Sequence, residues 1–350
     1  MGHHLRHLSV AVALVLVATA CGDSDDGEDA SATASATAET VVAESAAEMA
    51  SEATEVEEAV VAGSAQLSAV DQRGVEVTLE GPPGRVVSIW DSIDAQNLLA
   101  LGVEPVLVGR IGGGRPAPWV DDYAGLETYE LGDGTNIEAV AAARPDLIVT
   151  ASYDDAAYEL LEQIAPLYVA DNAIPWREEL RRMAALLGRS EIAEEVIADR
   201  TAVIDAAAER LADWQGARLV AGVVSPGEEA LVLFTSLSPL SELLVDMGLG
   251  PLTDPIDDDD TETYSFELLG ELEGDALLFL DVSGIAGQDL STFNDEFLSG
   301  PIVDTIPAVA GGIAGVGPEA SAAARLVNAA NLPFLVEEIT SSLEGLPGPS

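Results

Sequence analysis

Short runs of β-branched and apolar residues, each followed by a stretch with helical spacing, recur along most of this 350-residue chain. Apolar strands of this length that alternate with helices are typical of parallel sheets covered on both faces. The pattern lies on both sides of a long helical segment, so it predicts an α/β protein with two parallel-sheet, Rossmann-like lobes. The predicted strands are Val86–Ile89, Val106–Val108, Leu147–Val149, Leu167–Val169, Leu219–Val224, Leu231–Phe234 and Leu277–Leu280.

The segment between the two sets of strands predicts two helices. The first runs from Glu178 to Leu187 and ends at Gly188, and the second begins at an N-cap, Ser190, and runs to Trp214. About 24 residues at 1.5 Å each span about 36 Å. We therefore expect one long helix that bridges the lobes, with an N-terminal lobe at 66–177, a bridging segment at 178–215 and a C-terminal lobe at 216–350.

The first 65 residues predict an export signal and a tether. Arg6 precedes an apolar run, Leu8–Ala18, which is too short for a spanning helix and typical of a signal peptide. Cys21 follows this run directly and is similar in placement to the lipid-modified cysteine of bacterial lipoproteins, although an ordinary secretory signal with an incidental cysteine is an alternative. We expect 1–20 to be a lipoprotein signal peptide and Cys21 to anchor the protein outside the cytoplasm. Residues 21–65 are acidic, without aromatic residues or proline, and predict a disordered tether.

Charge and composition exclude several classes of function. The chain has 14 basic residues against 62 acidic ones and a formal net charge of −48, which excludes nucleic-acid binding through phosphate neutralisation. All the basic residues are arginine, histidine occurs only before residue 20, and there is one cysteine. If the first residues are removed in the mature protein, catalytic triads, Schiff-base lysines, a P-loop lysine and His- or Cys-based zinc sites lack their required groups. We therefore expect that the protein is not an enzyme and that its side chains hold no cofactor and no metal. A surface enzyme that uses carboxylates, or an adhesion module, is the alternative from another class of function.

The order and spacing of several segments resemble a known family over about residues 81–343. The most specific segment runs from Asn136 through Arg144-Pro145-Asp146 to Val149, and others are Arg85–Ser88, Leu98–Val106, Pro118-Trp119, Ile164–Pro166, Trp176–Glu178, Ser238–Ser241 and Phe266–Leu269. The chain resembles the substrate-binding lipoproteins of ABC importers for ferric siderophores, haem and vitamin B12. The resemblance implies two lobes joined by one rigid helix, with the ligand in the cleft between them.

Candidate ligand-binding residues follow from the ends of the predicted strands, because loops and helix N-termini converge at the carboxyl edge of a parallel sheet. A ferric siderophore presents oxygen-rich, commonly anionic faces, for which guanidinium groups and flat aromatic rings are suitable partners. Packing roles for the tryptophans and simple charge balance for the arginines are the alternatives. The predicted residues are Trp90, Asp91, Arg110, Arg115, Trp119, Tyr153, Trp176, Thr235 and Ser236, with Ser283 after a further strand.

The resemblance also implies a docking contact with the transporter. The family is understood to present one carboxylate on each lobe to arginines of the permease, and the matching positions are Glu138 and Glu267. A glutamate at a helix start is also favoured by the helix dipole, which is the alternative explanation.

We therefore interpret the chain as an extracytoplasmic, membrane-anchored, monomeric protein that captures a ferric siderophore and delivers it to an ABC transporter permease. A cobalamin or haem carrier of the same class is the alternative; haem is disfavoured because the expected mature chain has no histidine to bind iron, although Tyr153 is a possible ligand.

Overall fold

The architecture consists of a β-hairpin, a parallel sheet, a pair of helices and a second, mixed sheet, in that order along the chain. A computed structural model describes residues 66–110, 118–119, 125–131, 134–151, 155–225, 229–256, 259–283 and 290–349. These residues belong to one compact unit, residues 63–350. The hairpin pairs β1 (Leu67–Val70) with β2 (Glu76–Leu79) in antiparallel register, and the sequence analysis did not predict it.

The first sheet is fully parallel, as predicted. Its order is β5-β4-β3-β6-β7, with every neighbouring pair parallel. The strands β3, β6 and β7 are buried along their whole length, which explains their continuous apolar runs. The strands are β3 (Val86–Ser88), β4 (Leu107–Arg110), β5 (Thr128–Glu130), β6 (Leu147–Thr150) and β7 (Leu167–Val169). The helices of this half are α1 (Ile93–Ala100), α2 (Ile137–Ala143) and α3 (Asp155–Glu162).

Two helices follow the first sheet: α4 (Trp176–Leu187) and α5 (Ser190–Arg210). The predicted stop at Gly188 is confirmed, since this residue caps α4 with φ +66°, a left-handed conformation in which glycine has no Cβ penalty. The predicted N-cap at Ser190 is wrong: Arg189 occupies the cap position and Ser190 is the first helical residue. The predicted boundary at residue 178 falls inside α4.

The second helix is shorter than predicted. It ends at Arg210, and a separate 3₁₀ turn covers Ala212–Trp214. Its 21 residues span about 31 Å at 1.5 Å each. Ile197, Ile204 and Ala207 bury one side of the helix, within a cluster of buried side chains that includes residues of both halves of the chain.

The second sheet has the same spatial order as the first but is not fully parallel. Its order is β10-β9-β8-β11-β12; β8, β11 and β12 are parallel, whereas β9 is antiparallel to both β8 and β10. The strands are β8 (Leu219–Ser225), β9 (Ala230–Phe234), β10 (Thr261–Ser265), β11 (Ala276–Leu280) and β12 (Ile313–Val316). The parallel prediction is thus wrong for β9, because only a few residues join it to β8 and a connection that short returns the chain in the opposite direction.

Four helices accompany this sheet: α6 (Pro239–Asp246), α7 (Ser291–Ser299), α8 (Pro318–Arg325) and α9 (Leu332–Glu344), with 3₁₀ turns at Phe266–Glu271, Val303–Thr305 and Pro307–Gly311. The helix α9 packs on α5, and Arg210 near the end of α5 forms ion pairs with Glu337 and Glu344 of α9 at 2.6 and 2.8 Å. In the part of the chain that the structure describes, no helix combines the length and the apolar character needed to cross a membrane.

Candidate functional site

The carboxyl edge of the first sheet brings together two residues that the sequence predicted for the site. Asp91 follows β3 and Arg110 ends β4, and these strands are direct neighbours in the sheet. Arg110 Nε lies 3.7 Å from Asp91 Oδ2, and the two side chains are 23% and 20% exposed. The pair places one positive and one negative side chain, both partly exposed, at this edge of the sheet.

A fully buried carboxyl group lies under this edge. Asp94, in the first turn of α1, has no exposed surface. Its Oδ2 accepts a hydrogen bond from the Trp90 backbone N–H at 2.9 Å and lies 2.9 Å from Ser88 Oγ. Burial raises the pKa of Asp94 to about 7, against the hydrogen bonds from Trp90 and Ser88, which lower it. Sequence reasoning missed Asp94; an acidic residue in the first turn of a helix after a strand end was its only signal.

Trp119 connects the two halves of the molecule. Its indole Nε1 donates to Gln96 Oε1 of α1 at 2.9 Å, and its ring lies 5.2 Å from that of Phe334 in α9, centroid to centroid, with a tilt of 40°. Trp90 and Trp119 are both partly buried against the main cluster of apolar side chains. Both predicted aromatic residues are thus only partly buried, near the edge that carries Asp91.

Trp176 occupies a different environment from the one predicted. It begins α4, is 4% exposed, and belongs to the buried apolar cluster, so in this structure the packing alternative describes it better than a ligand contact. The next residue, Arg177, is partly exposed: its guanidinium stacks 4.7 Å from the Trp176 ring and pairs with Asp246 of α6 at 2.6 Å. Arg177 thus links α4 to a helix of the second sheet.

Thr235 and Ser236 were predicted to bind ligand because they follow a strand that was expected to be parallel, and the structure removes that argument. They follow β9, which is antiparallel to β8, so they lie at the opposite edge from the carboxyl ends of β8, β11 and β12. Thr235 is 2% exposed, and its Oγ1 donates to the Asp259 carbonyl at 2.7 Å. Ser236 Oγ donates to Asp254 Oδ1 at 2.7 Å. Both side chains hold the turn that precedes α6.

Polar residues do gather at the carboxyl edge of the second sheet. Asp281 directly follows β11, and its Oδ1 accepts from Asn294 Nδ2 and from the Ser283 backbone N–H, both at 2.7 Å. The predicted Ser283 belongs to this group, whereas Asp281 and Asn294 were missed. An aspartate directly after a fully buried strand was the available signal.

Three predicted residues, Cys21, Arg115 and Tyr153, lie outside the described residues, as do the expected signal peptide and tether. Within the described ranges, no group of three or more His, Cys, Asp or Glu side chains is arranged to hold a metal ion.

The two carboxylates assigned to docking both lie on exposed helix starts. Glu138 is in the first turn of α2, whose N-cap Asn136 accepts a hydrogen bond from Ala139 N at 3.0 Å. Glu267 is in the first turn of the 3₁₀ segment Phe266–Glu271. Both side chains are exposed. The predicted helix-start geometry is confirmed at both positions, and the docking role stays a prediction.

The structure thus has two five-stranded sheets of the same strand order, with a helical pair between them along the chain and polar residues at the carboxyl edge of each. The chain belongs to the periplasmic binding protein family, whose model matches residues 87–313. Among curated proteins, the probable siderophore-binding lipoprotein YfiY of Bacillus subtilis is 28% identical over 205 residues, which cover 57% of this chain and 53% of that protein. The match therefore spans about half the length of that relative.

Solved structures show the same fold. A periplasmic solute binding protein from Mycobacterium smegmatis aligns with a TM-score of 0.65 and 22% identity, over 81% of this chain and 99% of that one. Streptococcus pneumoniae PiaA in complex with ferrichrome aligns with a TM-score of 0.65 and 20% identity, over 80% and 98% of the two chains.

Proposed function

We propose that this protein captures a ferric siderophore outside the cytoplasm and delivers it to the permease of an ABC importer. The main support for this proposal is that the chain belongs to the periplasmic binding protein family over residues 87–313. The similarity to a probable siderophore-binding lipoprotein supports it further. The ferrichrome in the PiaA complex indicates the chemical class of ligand to test.

The ligand site in this proposal lies between the carboxyl edges of the sheets, and 66–177 and 216–350 act as its two lobes. Asp91 and Arg110 contribute a partly exposed ion pair on the first lobe, and Trp90 and Trp119 contribute aromatic surface. An arginine donates well to hydroxamate, catecholate or carboxylate oxygens that surround ferric iron. Arg115 and Tyr153 belong to the same site by their position after strand ends, and Trp176, Thr235 and Ser236 act by supporting the fold.

The long helix α5 joins the lobes in this proposal. It packs against α4 on the side of the first sheet and against α6 and α9 of the second. Arg200 of α5 also donates to the Ala329 carbonyl at 2.7 Å. A helix held by both halves limits their relative motion, so we expect small changes of lobe arrangement on binding.

Delivery in this proposal uses a lipid anchor on Cys21 and the two exposed carboxylates Glu138 and Glu267. One monomer presents both carboxylates to the permease, one from each lobe. Rim charges of this kind govern orientation and association rate more than affinity.

A fluorescence titration of the purified protein tests the proposal. Ferrichrome, ferric desferrioxamine and ferric staphyloferrin B are compared with their iron-free forms, with cyanocobalamin and with haemin. We expect saturable tryptophan quenching by at least one ferric chelate and a weaker response to its iron-free form. Saturable binding of cobalamin or haemin alone moves the assignment to the alternative carriers, and absence of any saturable quenching refutes the proposal.

A further inference from the structure

A buried glutamine links the predicted aromatic wall of the site to the far end of the chain. Gln96 in α1 is 4% exposed. Its Oε1 accepts two hydrogen bonds of 2.9 Å, from Trp119 Nε1 and from Asn328 Nδ2. Its Nε2 donates to the Asp91 carbonyl at 3.3 Å. Because both groups that face Oε1 are donors, this orientation of the amide is the one that satisfies them.

The partner of Gln96 from the second half is itself rigid. Asn328 lies between α8 and α9 and is 1% exposed. Its Oδ1 accepts from the backbone N–H groups of Ala330 and Asn331, at 2.9 and 3.2 Å. Its own N–H donates to Asn331 Oδ1 at 3.0 Å. Asn328 Nδ2 is therefore held in place by its own loop and gives Gln96 a stationary donor.

The Trp119 indole has two contacts that set its orientation. The Gln96 hydrogen bond fixes the edge that carries Nε1, and the tilted contact with Phe334 supports the ring. A ring contact of this kind tolerates rotation more readily than a hydrogen bond, which requires a donor angle above about 120°. Gln96 is thus the group that selects one orientation of the ring.

We propose that Gln96 is a positioning residue of the ligand site: it holds the Trp119 indole in the orientation in which the ring contacts the siderophore, and Asn328 holds Gln96. The inference rests on the proposed function, because it assigns Trp119 to the ligand wall. Loss of the acceptor leaves a partly buried indole N–H without its partner, and the ring then samples orientations that bind the ligand less well.

The test compares Gln96→Leu with Asn97→Leu. The second variant replaces a neighbouring amide of α1 that is also buried, at 2% exposure, and so controls for the structural effect of a leucine in this helix. Gln96→Glu keeps a carboxylate oxygen in the place of Oε1 and serves as the rescue variant. Trp119→Phe, alone and combined with Gln96→Leu, completes a double-mutant cycle.

Two readouts are measured for each folded variant. The emission of Trp119 in the ligand-free protein is obtained by subtracting the Trp119→Phe spectrum, and binding of the ferric chelate that quenches the wild type is measured by titration. We expect Gln96→Leu to increase acrylamide quenching of Trp119 and to weaken binding at least tenfold. Asn97→Leu should stay within twofold of the wild type, Gln96→Glu should recover the wild-type emission, and the double variant should bind no worse than the weaker single variant.

Unchanged Trp119 emission and affinity in Gln96→Leu overturn the inference, as do losses that multiply in the double variant. Failure of the proposed function looks different. If the wild type binds no ferric chelate, that function is wrong, whereas the ligand-free emission still reports whether Gln96 holds the indole.

Discussion

Replacing Asp94 by asparagine is expected to remove a pH-dependent loss of folding stability. The Asp94 carboxyl is fully buried beneath the edge that carries Trp90 and Asp91, and burial raises its pKa from 3.8 to about 7. A carboxyl whose folded pKa lies above its unfolded value binds its proton more tightly in the folded state. Its contribution to stability is therefore fully present below about pH 4 and is lost as the pH rises towards 7.

The size of the effect follows from the two pKa values. Each pH unit between them costs about 1.36 kcal/mol, so Asp94 lowers the free energy of unfolding by about 4 kcal/mol in all, of which about 3 kcal/mol falls between pH 4 and pH 7. An asparagine is neutral throughout, and its amide oxygen can still accept from Trp90 N. The buried amide NH₂ adds a cost of about 1–3 kcal/mol that does not depend on pH.

The assay is urea unfolding of both proteins, followed by circular dichroism at pH 5.0, 6.0, 7.0 and 8.0. We expect the free energy of unfolding of Asp94→Asn to increase relative to the wild type by about 2 kcal/mol between pH 5 and pH 7 and to change little above that. Burial also raises the pKa of Glu179 to about 8, but Glu179 is present in both proteins and its contribution cancels in the difference. Asp205→Asn, at an exposed position of α5, controls for the loss of one negative charge.

A stability difference between Asp94→Asn and the wild type that stays constant from pH 5 to pH 8 refutes this reasoning. A difference that changes by the same amount in Asp205→Asn refutes it too, because the effect then belongs to net charge. A pH-dependent difference confined to Asp94→Asn supports a carboxyl that is protonated in the folded protein near neutral pH.

Three further predictions concern anchoring, ligand binding and docking. Cys21→Ser should release a soluble protein or leave an unprocessed precursor, and unchanged membrane fractionation and mobility would contradict the anchor. Arg110→Ala combined with Arg115→Ala should weaken ferric-siderophore binding, because each charge-assisted hydrogen bond contributes about 1.5–3 kcal/mol; a loss below threefold, about 0.7 kcal/mol, argues against these residues. Glu138→Arg combined with Glu267→Arg should abolish uptake while stability and ligand affinity stay unchanged, and normal uptake by this variant would exclude the docking role.

Much of the fold was predictable because strand and helix patterns are local. The residues of Leu167–Val169 alone predict a buried strand, and in the structure this run forms the buried strand β7. Gly188 likewise predicts a helix end, because its backbone freedom is a property of glycine itself. The exclusion of lysine-based chemistry also needs no structure, since the chain contains no lysine.

Strand direction and side-chain burial were decided by the tertiary structure. The apolar run in β9 is the same whether the strand is parallel or antiparallel, so only its pairing with β8 removes Thr235 and Ser236 from the expected edge. Trp176 is an aromatic residue of the kind that binds ligands, yet the structure buries it in the main cluster of apolar side chains.

The positions that connect distant parts of the chain were the least predictable from sequence. Gln96 and Asn328 are 232 residues apart in the sequence and are joined by one hydrogen bond. The pKa of Asp94 is raised because the folded protein buries its carboxyl group. By itself the sequence determined most of the central strands, the two helices between the sheets and the chemistry that the chain lacks. The tertiary structure alone decided which of those residues meet, because contact, burial and electrostatic environment arise only when distant segments pack together.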